Sequence, residues 1–91
     1  MRRVALAIVF ALAGLAPAAA GQICRVADPT GTMLNVRTAP NMRIIATLAN
    51  GLRVEMLQVV VGDDGKQWSF VADARDGRAI GWVFRPYLDC R

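Results

Sequence analysis

Turn-forming residues interrupt this chain at short intervals from residue 25 onwards, and this spacing limits the possible folds more than any other feature. Clusters rich in Gly, Asp, Asn and Pro separate short runs of β-branched, apolar and aromatic residues. No run shows the sustained 3.6-residue apolar period of an amphipathic helix. About five or six short strands, with a turn about every eight to twelve residues, predict an all-β sandwich or barrel. At this length we expect a small barrel, because closure protects the strand edges.

Alternation of apolar and polar residues locates the individual strands. The strands are expected at residues 25–28, 34–38, 44–48, 52–61, 66–72 and 79–84. In the fourth strand the apolar face changes between Met56 and Leu57, which indicates a bulge or bend. Asn50 and Gly51 tolerate positive φ and predict a hairpin turn. Pro86 favours a single helical turn near the end of the chain.

The first residues have the order of a secretory signal peptide. A basic start is followed by an Ala/Leu-rich apolar run and then by small residues at a cleavage site. The uncharged run 4–20 is shorter than the ~20 residues that span a bilayer. We expect residues 1–20 to be removed and residues 21–91 to form one periplasmic or secreted domain that meets a membrane only through the signal peptide. An uncleaved membrane anchor is the alternative.

The charge balance gives no indication of a polyanionic partner. The whole chain has 11 basic and 7 acidic residues, and loss of Arg2 and Arg3 with the signal peptide reduces the net charge from +4 to +2. The remaining basic residues are scattered singly along the sequence. This pattern predicts binding neither to nucleic acid nor to an anionic membrane.

Cys24 and Cys90 are the only cysteines, one near each end of the expected domain. In an exported protein an even pair of cysteines predicts a disulfide. Such a bond would close nearly the whole domain into one loop, and a domain of about 70 residues needs such support because its core is small. Two free thiols, or a bond to another chain, are the alternatives.

The residue types argue against catalysis. The sequence has no His, and Ser69 is its only Ser, placed inside an expected strand. If the cysteines are bonded, no thiol nucleophile remains. Asp63 and Asp64 are flanked by glycines, which is more typical of a solvated turn than of a calcium loop with its six or more oxygen ligands. We therefore expect no enzyme activity, no cofactor and no metal.

Several short motifs occur in an order that is typical of one family. They are Leu34-Asn35-Val36-Arg37, Ile44-Ile45-Ala46-Thr47-Leu48 with Gly51, Trp68 with Val71, Gly81-Trp82-Val83, and Tyr87-Leu88. Together they resemble the bacterial SH3 (SH3b) family over residues 26–88. The resemblance implies an SH3-like barrel of about five or six strands and a binding or targeting role, often towards cell-wall peptidoglycan. The chain departs from the family around Pro40, where Gly is usual, and in a longer turn at 62–65.

A ligand groove is expected between the 38–43 loop and the 62–65 turn, because loops on a rigid barrel carry recognition residues. The candidate binding residues are Asn35, Arg37, Thr38, Asp63, Asp64, Trp68 and Tyr87. Trp68 and Tyr87 would form the floor, although core packing is the alternative for both. Arg37 has a structural alternative as well, in an ion pair with a carboxylate such as Asp73. Val83 and Leu88 are expected in the core.

Two functional hypotheses follow. The first is a monomeric binding module for cell-wall glycan or peptide, or for a wall-associated partner. The second is a structural or regulatory protein, such as an inhibitor, that binds another exported protein.

Overall fold

A computed structural model describes residues 21–91, so the expected signal peptide at 1–20 lies outside the described residues. The strands are β1 (Gln22–Val26), β2 (Leu34–Arg37), β3 (Ile44–Leu48), β4 (Arg53–Val61), β5 (Gln67–Asp73), β6 (Ala79–Phe84) and β7 (Leu88–Asp89). A single 3₁₀ turn, Arg85–Tyr87, follows β6, with Pro86 in its first turn. Over the described range no helix has the length and apolarity to cross a membrane.

The strands form one antiparallel sheet in the order β3-β2-β6-β5-β4-β1-β7. The all-β class is thus confirmed, with seven strands instead of the expected five or six. The closed barrel is not formed, because β3 and β7 do not pair with each other and remain the two edges. The last strand, β7, has only two residues and pairs with β1 alone.

A single core nevertheless draws side chains from both edges of the sheet. Its buried members are Cys24, Val26, Leu34, Val36, Leu48, Val54, Met56, Val71, Val83 and Leu88. Leu48 comes from β3 and Leu88 from β7, so the sheet coils around a common interior. The expected core positions of Val83 and Leu88 are confirmed.

The Cys24–Cys90 disulfide is present, and the described residues contain no free cysteine. It joins β1 to the residue that follows β7, beside the short ladder in which Val26 pairs with Leu88. The bond therefore links the two ends of the described chain beside a strand pairing that has only two residue pairs.

The bulge expected in β4 is also present, because the β4–β5 register shifts between Met56 and Gln58. The hydroxyl of Ser69, which is fully buried on β5, donates a hydrogen bond of 3.0 Å to the carbonyl of Gln58. Ser69 therefore satisfies a backbone acceptor that the bulge leaves beside the ladder.

The Asn50-Gly51 turn does not make the hairpin that the sequence predicts. β3 and β4 lie far apart in the strand order, because β3 pairs with β2 and β4 pairs with β5 and β1. The Gly51 N–H donates to the Val26 carbonyl at 2.8 Å, and Asn50 Oδ1 accepts from the Asp28 N–H at 2.7 Å. The two turn residues therefore form hydrogen bonds with the end of β1 and the residues after it. Gly51 has the expected positive φ.

Gly81 marks the closest approach of β6 to β2. Its φ is +150°, and a Cβ there would lie 2.6 Å from Val36 Cγ1 and 3.2 Å from the Arg37 carbonyl oxygen. Since Val36 is fully buried, its methyl group has no free space into which to move. Gly81 is the one position at which the packing of these strands requires the absence of a side chain.

We expect Gly81→Ala to lower the free energy of unfolding by about 1–3 kcal/mol through overpacking. Urea unfolding measures the change. Gly65→Ala is the matched control, because Gly65 also has a positive φ, of +81°, but a Cβ there meets nothing within 4 Å. Equal losses in the two variants would mean that backbone conformation, and not the contact with Val36, requires glycine at position 81.

Candidate functional site

A cleft of about 240 Å³ opens where β2, β5, β6 and the 3₁₀ turn meet. We call it the aromatic cleft. It is lined by Asp28, Leu34, Asn35, Arg37, Asn41, Lys66, Trp68, Phe84 and Tyr87. Of the seven candidate binding residues, Asn35, Arg37, Trp68 and Tyr87 line this cleft, whereas Thr38, Asp63 and Asp64 do not.

Strand register creates the aromatic floor. Trp68 on β5 lies opposite Phe84 on β6, next to the pair Ser69 and Val83, both of which are fully buried. Because side chains alternate along a strand, Trp68 and Phe84 share the opposite face of the sheet. Their ring centroids are 5.4 Å apart, and the 3₁₀ turn brings Tyr87 to 5.0 Å from Phe84 in an edge-to-face arrangement.

Trp68 combines the two roles that the sequence leaves open. It lines the aromatic cleft and lies outside the main core cluster, yet only 5% of its surface is exposed. Its Nε1 is buried without a hydrogen-bond partner among the described residues. A buried donor without a partner costs roughly 1–3 kcal/mol, which offsets part of the stabilisation that the packing of the ring provides.

Arg37 holds the β2–β3 loop, but not by the ion pair that the sequence suggests. Its Nη1 donates to the Met42 carbonyl at 2.7 Å, and its Cζ lies 5.9 Å from the centre of the Trp68 ring. Asp73 instead binds Arg75, at 2.8 Å between Oδ2 and Nη2.

The ion pair between Asp73 and Arg75 also affects the titration of the carboxyl group. Hydrogen bonds from the Arg75 side chain, and then from its backbone N–H, lower the pKa of Asp73 to about 2. Asp73 therefore pairs with an arginine two positions along the chain and not with Arg37.

The 38–43 loop and the 62–65 turn meet at one side of the cleft. Asn41 Nδ2 lies 3.5 Å from Asp64 Oδ2, and the Lys66 N–H donates to Asp64 Oδ1 at 3.0 Å. The Lys66 N–H is the main reason that the pKa of Asp64 is lowered. Thr38 donates its N–H to the Arg43 carbonyl at 3.0 Å, which closes the base of the loop. Thr38 and Asp64 therefore support the rim and do not line the cleft.

Side chains that the sequence analysis did not select complete the site. They are Asp28, Leu34, Asn41, Lys66 and Phe84. Lys66 Nζ lies 6.0 Å from the centre of the Phe84 ring. Asp28 accepts from the hydroxyl and the N–H of Thr30, and the hydroxyl bond is the larger cause of its lowered pKa. The alternation of side chains along β6 predicts that Phe84 faces away from the buried Val83. Its position beside Trp68 can be predicted only if the β5–β6 register is known.

The cleft offers hydrogen-bond donors over an apolar floor. Asn35 and Lys66 are exposed at its rim, and no hydrogen bond of theirs uses the side chain within residues 21–91. Because the Asp28 carboxylate also lines the cleft, such a site suits a polar ligand that has donors, acceptors and an apolar part. No group of three or more His, Cys, Asp or Glu in the described part of the chain could hold a metal ion.

Comparison with known proteins adds nothing to this geometry. No protein-family model, no curated protein and no solved structure matches the chain.

Proposed function

We propose that this chain is a non-catalytic, exported binding module of SH3b type that binds peptidoglycan, or another component of the cell envelope, through the aromatic cleft. The observation that carries the proposal is the composition of that cleft. Three packed aromatic rings form its floor, while amide and cationic side chains stand at its rim. Cell-wall glycan and peptide present many hydroxyl, amide and carboxylate groups on an apolar frame, and these are the groups that such a lining recognises.

Export is supported by the disulfide as well as by the signal-like N-terminus. Disulfides persist in oxidising compartments and are rare in the cytosol. The Cys24–Cys90 bond of this domain therefore favours a periplasmic or secreted location.

The motifs on which the SH3b resemblance rests contact one another in the fold. Arg37 of the first motif pairs with Trp82 of the Gly-Trp-Val motif across β2 and β6. Gly81 of the same motif lies against Val36. The two motifs would thus specify one strand contact, although the open sheet departs from a closed barrel.

The experiment is retention on purified peptidoglycan sacculi. We expect the unsubstituted domain to be retained, and Asn35→Ala and Lys66→Ala each to weaken retention about tenfold, the typical effect of losing one good polar contact. Both side chains are exposed, so the melting temperature should hardly change. Gln58→Ala and Arg78→Ala are matched controls, since both are exposed and lie outside the cleft, and Arg78→Ala removes the same charge as Lys66→Ala.

Retention that is unaffected by the cleft variants would exclude the aromatic cleft as the binding site. Absence of retention for the unsubstituted domain would exclude sacculi as the ligand and leave the second candidate.

The second candidate is a protein that binds another exported protein, and the free edge of β3 favours it. β3 pairs only with β2, and 48% of Ile44 and 49% of Ile45 are exposed. An apolar edge strand without charges can add a strand from another chain. Ile45→Lys would block such pairing and leave sacculus retention unchanged, which separates the two candidates.

A further inference from the structure

A second cleft, of about 250 Å³, lies on the outer surface of β1, β4 and β7 and is rich in arginine. We call it the arginine cleft. Its lining residues are Ile23, Cys24, Arg25, Arg53, Asp89 and Arg91. None of them lines the aromatic cleft, so the two clefts are separate features of the molecule.

Strand register brings the arginines together. Arg25 on β1 lies directly opposite Arg53 on β4, and on its other side it lies opposite Asp89 on β7. Like charges directly opposite each other destabilise a sheet. Because 28 positions separate the two arginines along the chain, their proximity is not visible in the sequence.

The only carboxylate in the arginine cleft already has a partner. Arg91 donates to both oxygens of Asp89, from Nε at 3.0 Å and from Nη2 at 3.1 Å. Among residues 21–91 the ion pairs within 4.0 Å are Arg91–Asp89 and Arg75–Asp73, so neither Arg25 nor Arg53 is neutralised by direct contact. Glu55 is also on β4, but it lies opposite Ile23 and forms no such pair.

We propose that the arginine cleft binds a phosphate-type oxyanion between Arg25 and Arg53. Each guanidinium group presents a planar fork of donors that matches two oxygens of a phosphate. Two such groups on facing strands provide donors and positive charge for a tetrahedral phosphate group, whose negative charge would offset the repulsion between them. The same group can come from free inorganic phosphate or from an anionic lipid headgroup at the envelope.

The first test is calorimetric titration of the domain with inorganic phosphate at low ionic strength. We expect saturable binding that Arg25→Gln and Arg53→Gln each weaken about tenfold or more. Arg78→Gln is the matched control, because it removes the same charge from an exposed arginine outside the cleft. The control should bind phosphate like the unsubstituted domain.

Thermal unfolding provides a second readout that does not depend on heats of binding. Without phosphate, Arg25→Gln loses both the repulsion from Arg53 and the attraction to Asp89, so the melting temperature of each protein without phosphate serves as its own baseline. Phosphate should raise the melting temperature of the unsubstituted domain and of Arg78→Gln more than that of Arg25→Gln. The general stabilisation that phosphate gives to any protein is common to all three. Equal shifts in all three would overturn the proposal.

The lipid source is tested separately by sedimentation with vesicles. Vesicles of phosphatidylglycerol mixed with phosphatidylcholine are compared with vesicles of phosphatidylcholine alone, for the same three proteins. Preferential binding to the anionic vesicles that depends on Arg25 would support a headgroup as the source, and binding of free phosphate alone would support the soluble anion. Failure to bind either one would overturn the proposal without affecting the sacculus experiment, since that depends on other residues.

Discussion

Replacing Trp68 with alanine is expected to lower the free energy of unfolding by about 3–5 kcal/mol. The ring is 95% buried, since only 5% of its surface is exposed, and it packs edge-to-face against Phe84. Truncation would leave a cavity under the aromatic cleft and remove the surface on which the Arg37 guanidinium lies. A domain of about 70 residues has little stability in reserve, so this variant should be largely unfolded near physiological temperature. Urea unfolding followed by circular dichroism measures the loss.

Trp68→Phe tests the contribution of an aromatic ring to stability separately from that of the Nε1 donor. It keeps an aromatic group against Phe84 and removes the Nε1 donor that has no partner among residues 21–91. Since an unpaired buried donor is unfavourable, we expect Trp68→Phe to lose much less stability than Trp68→Ala. A melting temperature of Trp68→Ala within a few degrees of the unsubstituted domain would contradict the burial argument and make Trp68 an ordinary surface contact.

This expectation also determines which variants can report on binding. A ligand assay on Trp68→Ala would mix loss of the fold with loss of the site. Asn35 and Lys66 are better probes, because both are exposed. The floor and the rim of the aromatic cleft therefore require different experiments.

Local sequence chemistry predicted the local features of the fold. The alternation of Leu34 and Val36 places β2 correctly, the change of face after Met56 marks the bulge, and Pro86 lies in the 3₁₀ turn. Each of these depends on a few neighbouring residues. β1 is different, because it begins at Gln22, earlier than expected, where its pairing with Met56 of β4 extends it.

Pairing between distant strands could not be read from the sequence. Asn50 and Gly51 have the turn chemistry of a hairpin, but the strands on either side of them pair elsewhere. The arginine cleft has the same origin, because two scattered arginines become neighbours only through the β1–β4 register. In the aromatic cleft, Trp68 and Tyr87 were identifiable by residue type, whereas Phe84 needed the β5–β6 register. The register between two strands is set by which of their faces is buried, and that depends on the packing of the whole core.

Removing the Cys24–Cys90 bond is expected to lower the free energy of unfolding by about 4 kcal/mol, the chain-entropy value for a loop of this size. The two residues are 66 positions apart, so the bond restricts almost the entire unfolded domain. It also holds the two-residue strand β7 beside β1, where the Ala27 N–H donates to the Tyr87 carbonyl at 2.9 Å. In the reduced domain we expect this edge to open first, with faster hydrogen exchange at Ala27 than in β5 and β6.

Reduction of the unsubstituted domain is the cleanest form of this experiment, because it breaks the bond without removing atoms from the core. Urea unfolding with and without a phosphine reductant should show a lower midpoint for the reduced form, and a larger denaturant slope because its unfolded chain is more expanded. Cys90→Ala should reproduce the reduced form more closely than Cys24→Ala, since Cys24 is 2% exposed within the core cluster and Cys90 is only partly buried. The same midpoint in the oxidised and reduced domains would mean that the native contacts of β1 and β7 already hold the chain ends together. The bond would then add nothing to the stability of the domain.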